Sequence, residues 1–191
     1  MNNFFPGDDE DRMIATQITL GNKELFRLLV KRYERAVHGM GMSFFRNAED
    51  ASDFTQEVFL KVFRNISRFE GRSRLSTWLY KIAYNTAVNS VTRKKEYHSL
   101  VEDEIVIDND TPERRLYRGI ARDAVLEAIK ELPERFRVCV DLFFFYDRSY
   151  QEIEIITGYP VNTIKSHVFR AKKILRDKLA DFAGSNEGGA E

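Results

Sequence analysis

Between Pro160 and Lys173 the chain sets out side chains suited to reading a nucleic acid rather than transforming a substrate. Asn162, Thr163, Ser166, Phe169, Arg170 and Lys173 share one face of a helix, Lys165 and His167 flank it, and no acid follows until Asp177. In a major groove Arg and Lys pair with guanine edges, Ser, Thr and Asn bond bases or phosphates, and an aromatic ring touches a thymine methyl. A second group, Lys81, Asn85, Asn89 and Arg93, steps by four after the loop EGRSR at Glu70–Arg74, which contains Ser73. Asparagine is a poor helix former, so two of them in register need a reason, and base reading supplies one. The amides bond base edges while the flanking cations hold a backbone. A third group, Asp53, Gln56 and Glu57 beside Phe54, has the wrong charge for DNA. It suits a basic protein partner, and its spacing alone describes a solvated helix face equally well. For catalysis there is no comparable set. The chain offers no nucleophile with its base and no phosphate loop, and His38, His98 and His167 have no carboxylate or thiol at ligand spacing, so neither a metal nor a cofactor is expected.

The first group needs a helix-turn-helix, and the stretch from Ser149 to Lys178 spells one. Ser149 and Glu152 form a capping box, in which hydroxyl and carboxylate each take the other residue's amide. Ile153 and Ile156 stripe the short helix that follows, Gly158 can take the positive φ past its end, and Pro160 suits the first turn of the next. There Val161, Ile164, Val168, Ala171 and Leu175 recur at steps of three and four, which buries the side opposite the polar face. A recognition helix placed second is the layout of a DNA-binding helix-turn-helix.

The remaining elements also read as helices, so the fold class expected is all-α. Met13 to Leu20 is amphipathic and closed by Gly21, after which Asn22 caps a helix striped by Leu25, Leu29, Tyr33, Val37, Met40 and Phe44. Asn47 caps the next, striped by Ala51, Phe54, Val58, Phe59, Val62 and Ile66. Ser76 is the cap expected for a fourth helix from Thr77 to about Lys95, burying Leu79, Ile82, Ala83 and Thr86. Trp78 is read as core, whereas Tyr80 and Tyr84 fit either core or stacking on unpaired bases. Thr111, Pro112 and Glu113 start a helix striped by Ile120, Ala124, Ala128 and Ile129. Leu132 and Pro133 break it, and the apolar helix from Pro133 to Tyr146 is assigned to the core, its Phe143–Tyr146 run suiting the core first and a rim presented to a partner second. The tail GSNEGGAE is expected to be flexible.

The chain of 191 residues is 43% hydrophobic and 13% aromatic, enough for one core of ordinary size or two small ones. Its net charge of zero conceals a segregation. From Met13 to His98 there are 15 Lys and Arg against 8 acids, and from Arg114 to Ala183 there are 14 against 10. Between them Ser99–Glu113 holds six acids and no base, so two cationic domains are joined by an acidic strap, a pattern for binding a polyanion. Asp8, Asp9, Glu10 and Asp11 have the wrong charge for a signal peptide, and no apolar run approaches the roughly 20 residues of a membrane helix. Cys139, the single cysteine, is read as a buried thiol, which suits a reducing, cytoplasmic setting.

With both halves read, the chain resembles a bacterial RNA polymerase sigma factor of the extracytoplasmic-function type within the sigma-70 family. Asp53–Phe59, a DxxQEVF run, and FEGRSRLSTWLYKIAYNTAVN at Phe69–Asn89 resemble the family's second region. ELPERFR at Glu131–Arg137, SYQEI at Ser149–Ile153 and PVNTIKSHVFRAKK at Pro160–Lys173 resemble its fourth. The resemblance implies a region-2-like domain over residues 13–98, a linker over 99–113, a region-4-like domain over 114–183 with its helix-turn-helix at 149–178, and a tail over 184–191. It further implies a promoter-specificity subunit without catalysis of its own. Asp53, Phe54, Gln56 and Glu57 would dock on the coiled-coil of the polymerase's largest subunit, and the fourth region would meet the flap. Ser73, Arg74, Lys81, Asn85, Asn89 and Arg93 would read the minus-ten element of promoter DNA and hold an unpaired base. Thr163, Lys165, Ser166, His167, Phe169, Arg170 and Lys173 would read the minus-thirty-five element. An anti-sigma factor would mask both domains. Glu154, Asn162 and His167 depart from the small residue, glycine and arginine common at those positions. The rival reading is a two-domain helix-turn-helix repressor or activator that never joins the polymerase, and it leaves the Asp53–Phe59 run and the strap idle.

Overall fold

A computed structural model describes residues 8–98 and 125–187, and no strand occurs among them. They form two compact units, one within 8–98 and one within 125–187, the stretch Ile155–Gly158 not being grouped with the rest of the second. The acidic strap, the helix start at Thr111, Ile120 and Ala124 lie outside the described residues.

In the first unit α1 spans Asp8–Thr19, α2 Phe26–Phe45, α3 Ala48–Asn65 and α4 Leu75–His98, with short 3-10 turns at Lys23–Leu25 and Ile66–Arg68. The stripes meet as their periodicity requires: Leu29, Val37, Ala51, Val58, Val62, Leu75, Leu79, Ala83 and Ala87 are all fully buried. α2 and α3 approach closely at Gly41, where an added Cβ would stand 2.8 Å from the Phe54 ring and 3.0 Å from the Ala51 Cα. Asn47 caps α3 as expected, its side-chain oxygen accepting the Glu49 and Asp50 amides at 2.8 and 3.1 Å.

Three starts differ from the periodicity. α1 begins at Asp8 rather than Met13, because Asp11 is drawn into the core, where its carboxylate accepts the Tyr33 hydroxyl and an Arg32 N–H. Asn22 precedes a 3-10 turn without a side-chain capping bond, so α2 proper starts four residues later. α4 begins at Leu75, the Arg74 carbonyl taking the Trp78 amide at 3.1 Å, which places Ser76 inside the helix and buries it instead of leaving it as the cap.

In the second unit residues 125–130 are helical, and α5 spans Glu134–Val140 and runs into a π-helical turn at Asp141–Phe145. α6 spans Tyr150–Thr157 and α7 Val161–Glu187. Leu132, Phe136, Val140 and Ala171 form a core with Ile174 and Leu175 packed on it. The buried Arg137 donates to the Lys130 carbonyl at 3.0 Å and so closes the Leu132–Pro133 break. Two expectations are corrected here. Of the Phe143–Tyr146 run, Phe144 and Phe145 are exposed, since the wider π turn carries them off the stripe that buries Val138, Cys139, Val140 and Leu142. The segment GSNE, read as tail, continues α7 to Glu187.

Candidate nucleic-acid and protein-docking surfaces

The helix-turn-helix is built by local bonds that the sequence specifies residue by residue. The Ser149 amide donates to Glu152 Oε2 at 3.0 Å and the Glu152 amide to Ser149 Oγ at 3.2 Å, completing the capping box. Arg148 supports the same carboxylate at 3.4 Å. Gly158 takes a φ of +77°, which ends α6 without strain. Glu154 then reaches over the turn, its Oε1 accepting the Val161 amide at 3.2 Å. Ile164, Val168 and Ala171 turn inward, and Asn162, Lys165, Phe169, Arg170 and Lys173 stay exposed, Phe169 by 71%. Thr163 and Ser166 are half-buried on the edges of that face. Lys165 lies 6.0 Å over the Tyr150 ring, which itself stacks on Phe143 at 4.8 Å.

His167 is likewise half-buried on the flank of that face. Its ring packs against Phe136 at 5.1 Å and Tyr159 at 5.5 Å, and its Nδ1 lies 3.7 Å from the Cys139 sulfur. Burial, then the charges of Arg135 and Arg170, lower its pKa from the usual value and favour the neutral ring. The Cys139 thiol is pushed up to about 12 by burial and so stays protonated.

On the first unit Lys81, Asn85, Asn89 and Arg93 lie along one side of α4, all four exposed, and Arg93 Nε donates to the Asn89 carbonyl at 3.3 Å. In the loop before it the Ser73 hydroxyl donates to the Arg74 carbonyl at 3.3 Å, and Gly71 takes a φ of +70°. Tyr80 and Tyr84 are buried, edge-on to Tyr33 and Phe44, which settles them as core rather than stacking platforms. Trp78 is half-buried against Phe69 at 5.5 Å.

Along α3, Asp53 and Gln56 are exposed, and the half-exposed Glu57 pairs with Lys61 at 2.7 Å. Phe54 is not on this surface: it is only 3% exposed, held against Phe45 and over Gly41. Two residues that the motif does not include stand in its place. Leu60 and Phe63, 54% and 37% exposed, line an open groove with Phe26, Gln56 and Phe59. Gln56, Leu60 and Phe63 are spaced i, i+4, i+7, a periodicity that marks a second apolar edge beside the buried stripe.

Comparison with known proteins assigns both units. Residues 29–97 match the family pattern for sigma-70 region 2 and residues 122–175 that for sigma-70 region 4. The chain is 31% identical over 182 residues to the RNA polymerase sigma-H factor of Pseudomonas aeruginosa, covering 90% of this chain and 94% of that one. It is 33% identical over 180 residues to the ECF RNA polymerase sigma-E factor of Haemophilus influenzae, covering 88% and 95%. The chain belongs to the sigma-70 family, in its extracytoplasmic-function group.

The fold of this sigma factor is also that of a solved relative, the sigma factor RpoE of Bartonella quintana in complex with the anti-sigma factor NepR, with a TM-score of 0.68, 24% identity and coverage of 81% of this chain and 96% of that one. Within the sigma factor the first unit carries region 2 and the second region 4. α1 precedes the region 2 match, whereas Arg32, Tyr33 and Gly71, which it contacts, lie within it.

Proposed function

We propose that the chain binds core RNA polymerase and directs transcription initiation at specific promoters, with α3 as the docking face and α4 and α7 as the two readers of DNA. One observation carries the reading. The first unit presents both a polar and cationic edge on α4, which suits DNA, and an acidic and apolar edge on α3, which does not. A repressor or activator acting alone has no use for the second. Asp53, Gln56 and Glu57 supply charge and amide contacts for a basic partner helix, and Leu60 and Phe63 supply the apolar anchor beside them. Ser73, Arg74, Lys81, Asn85, Asn89 and Arg93 take the minus-ten element, where holding an extruded base offsets an unstacking cost of about a few kcal/mol. Thr163, Lys165, Ser166, His167, Phe169, Arg170 and Lys173 take the minus-thirty-five element, His167 from its half-buried place on the flank.

The functional division follows 13–98, the acidic linker 99–113 and 114–183, with α1 added to the first domain. The factor acts without catalysis of its own and in the cytoplasm, and no described helix is long and apolar enough to cross a membrane. An anti-sigma protein is a further partner, as one is for the Bartonella relative. The test is transcription from genomic promoters by core polymerase with the full chain. Charge reversal at Asp53 and Glu57 is expected to abolish holoenzyme formation and leave the helical circular dichroism unchanged, whereas full co-purification of that double variant with core would overturn the docking assignment.

A further inference from the structure

α1 is fastened to the first unit by the buried Ile14, Ala15 and Ile18 and by Asp11, and it reaches the DNA-reading loop with Arg12. Asp11 is buried, and its two carboxylate oxygens take the Tyr33 hydroxyl and an Arg32 N–H, while Arg32 also pairs with Glu10 at 2.7 Å. Burial, and then Asp11, hold the Tyr33 hydroxyl's pKa above its ordinary value, so the phenol remains a donor. With α1 held there, the Arg12 guanidinium lies on the exposed side and donates from Nη2 to the Gly71 carbonyl at 3.0 Å, across 59 residues of sequence.

Gly71 is where the Glu70–Arg74 loop turns. Its φ of +70° belongs to the left-handed region, and an added Cβ would meet nothing within 4 Å, so the loop is set by backbone conformation and not by packing at that point. Around it Glu70 pairs with Arg72 at 2.5 Å, and the Ser73 hydroxyl donates to the next carbonyl. A charge-assisted bond to the Gly71 carbonyl fixes the plane of the peptide that leads into Arg72, Ser73 and Arg74.

We propose that Arg12 is a positioning residue for promoter selectivity, tying the minus-ten loop to α1 so that Ser73 and Arg74 are presented in one orientation. The proposal rests on the minus-ten reading of this loop and α4. It adds a residue that lies outside the region 2 match and acts through the loop rather than on DNA.

The test uses the full chain bound to core polymerase and a pool of fork-junction DNA with randomised non-template bases in the downstream element, comparing Arg12→Ala, Arg12→Lys and Asn85→Ala. Arg12→Ala is expected to flatten base preference by about three- to tenfold, with affinity for core unchanged and amide exchange of residues 70–74 accelerated in the free protein. Arg12→Lys, which still offers a cationic donor, is expected to recover most of the preference. Unchanged preference in Arg12→Ala together with a loss in Asn85→Ala overturns the role of Arg12 and leaves the minus-ten reading standing. Unchanged preference in both overturns the reading and the proposal together. A parallel loss of core affinity in Arg12→Ala marks a general folding role and also overturns the proposal.

Discussion

Glu154 Oε1 accepts the backbone N–H of Val161 at 3.2 Å, so a residue inside the first helix of the helix-turn-helix caps the second. The first amides of a helix have no partner within it, and here one of them is taken by a side chain seven residues back. The negative charge also sits at the positive end of α7. A carboxylate where the family commonly has a small residue is therefore accommodated by a specific bond across the turn.

Replacing Glu154 with Ala is expected to destabilise the second unit by about 0.5–2 kcal/mol, the range for losing a helix cap. Glu154→Gln keeps an acceptor oxygen and is expected to retain most of that stability. Urea unfolding followed by circular dichroism measures both, and equal stability of the Ala variant would show the bond to be idle.

Gly41→Ala is expected to cost about 1–3 kcal/mol, because the new methyl would stand 3.0 Å from the Ala51 Cα and 2.8 Å from the Phe54 ring. The ring can swing, but the α3 backbone cannot retreat without opening the core. Thermal melting of the full chain reads the loss, and Gly71→Ala provides a contrast in which backbone strain alone operates, since open space surrounds that position.

Arg170 and Lys173 are both exposed on α7, and their variants are expected to separate base reading from backbone contact. Arg170→Ala is predicted to lose roughly 1–3 kcal/mol at one upstream base pair and to relax selection there. Lys173→Ala is predicted to weaken all upstream sequences alike and to lower the salt slope of binding by about one. Holoenzyme titrations on promoter variants at several salt concentrations distinguish these outcomes.

His167 makes the stability of the second unit depend on pH. Its pKa is lowered in the folded chain, by burial first and then by Arg135 and Arg170, so the unfolded state binds the proton more readily. Stability is fully present above the unfolded value of about 6.5 and is lost as pH falls through it toward the folded one. Melting temperatures between about pH 7.5 and pH 5 are expected to fall more for the wild-type chain than for His167→Gln, and parallel curves would exclude the imidazole as the source.

Most assignments that depended on neighbours within one turn of chain were legible in the residues alone, although the caps expected at Asn22 and Ser76 are not made. The Ser149–Glu152 capping box, the Asn47 cap, the positive φ of Gly158 and the inward set Ile164, Val168 and Ala171 all appear in place, because a helix period and a cap involve only groups three or four residues apart. The cationic outer face of α7 follows from the same period. The order of the motifs was likewise enough to place the chain in its family.

What needed the tertiary structure was every contact made across elements. Asp11 looks like one more acid in an acidic start, and only the approach of Tyr33 and Arg32 makes it a buried anchor. Phe54 falls both on the inward stripe and beside the acid–amide group in sequence, and its packing over Gly41 decides for the core and leaves Leu60 and Phe63 to line the groove. His167 stands on the flank of a reading helix by periodicity, but α5 offers Phe136 and Cys139 to its ring. Periodicity specifies the direction in which a side chain leaves its own helix, whereas burial and pairing depend on what another segment brings to meet it, and that is settled only when the chain has packed.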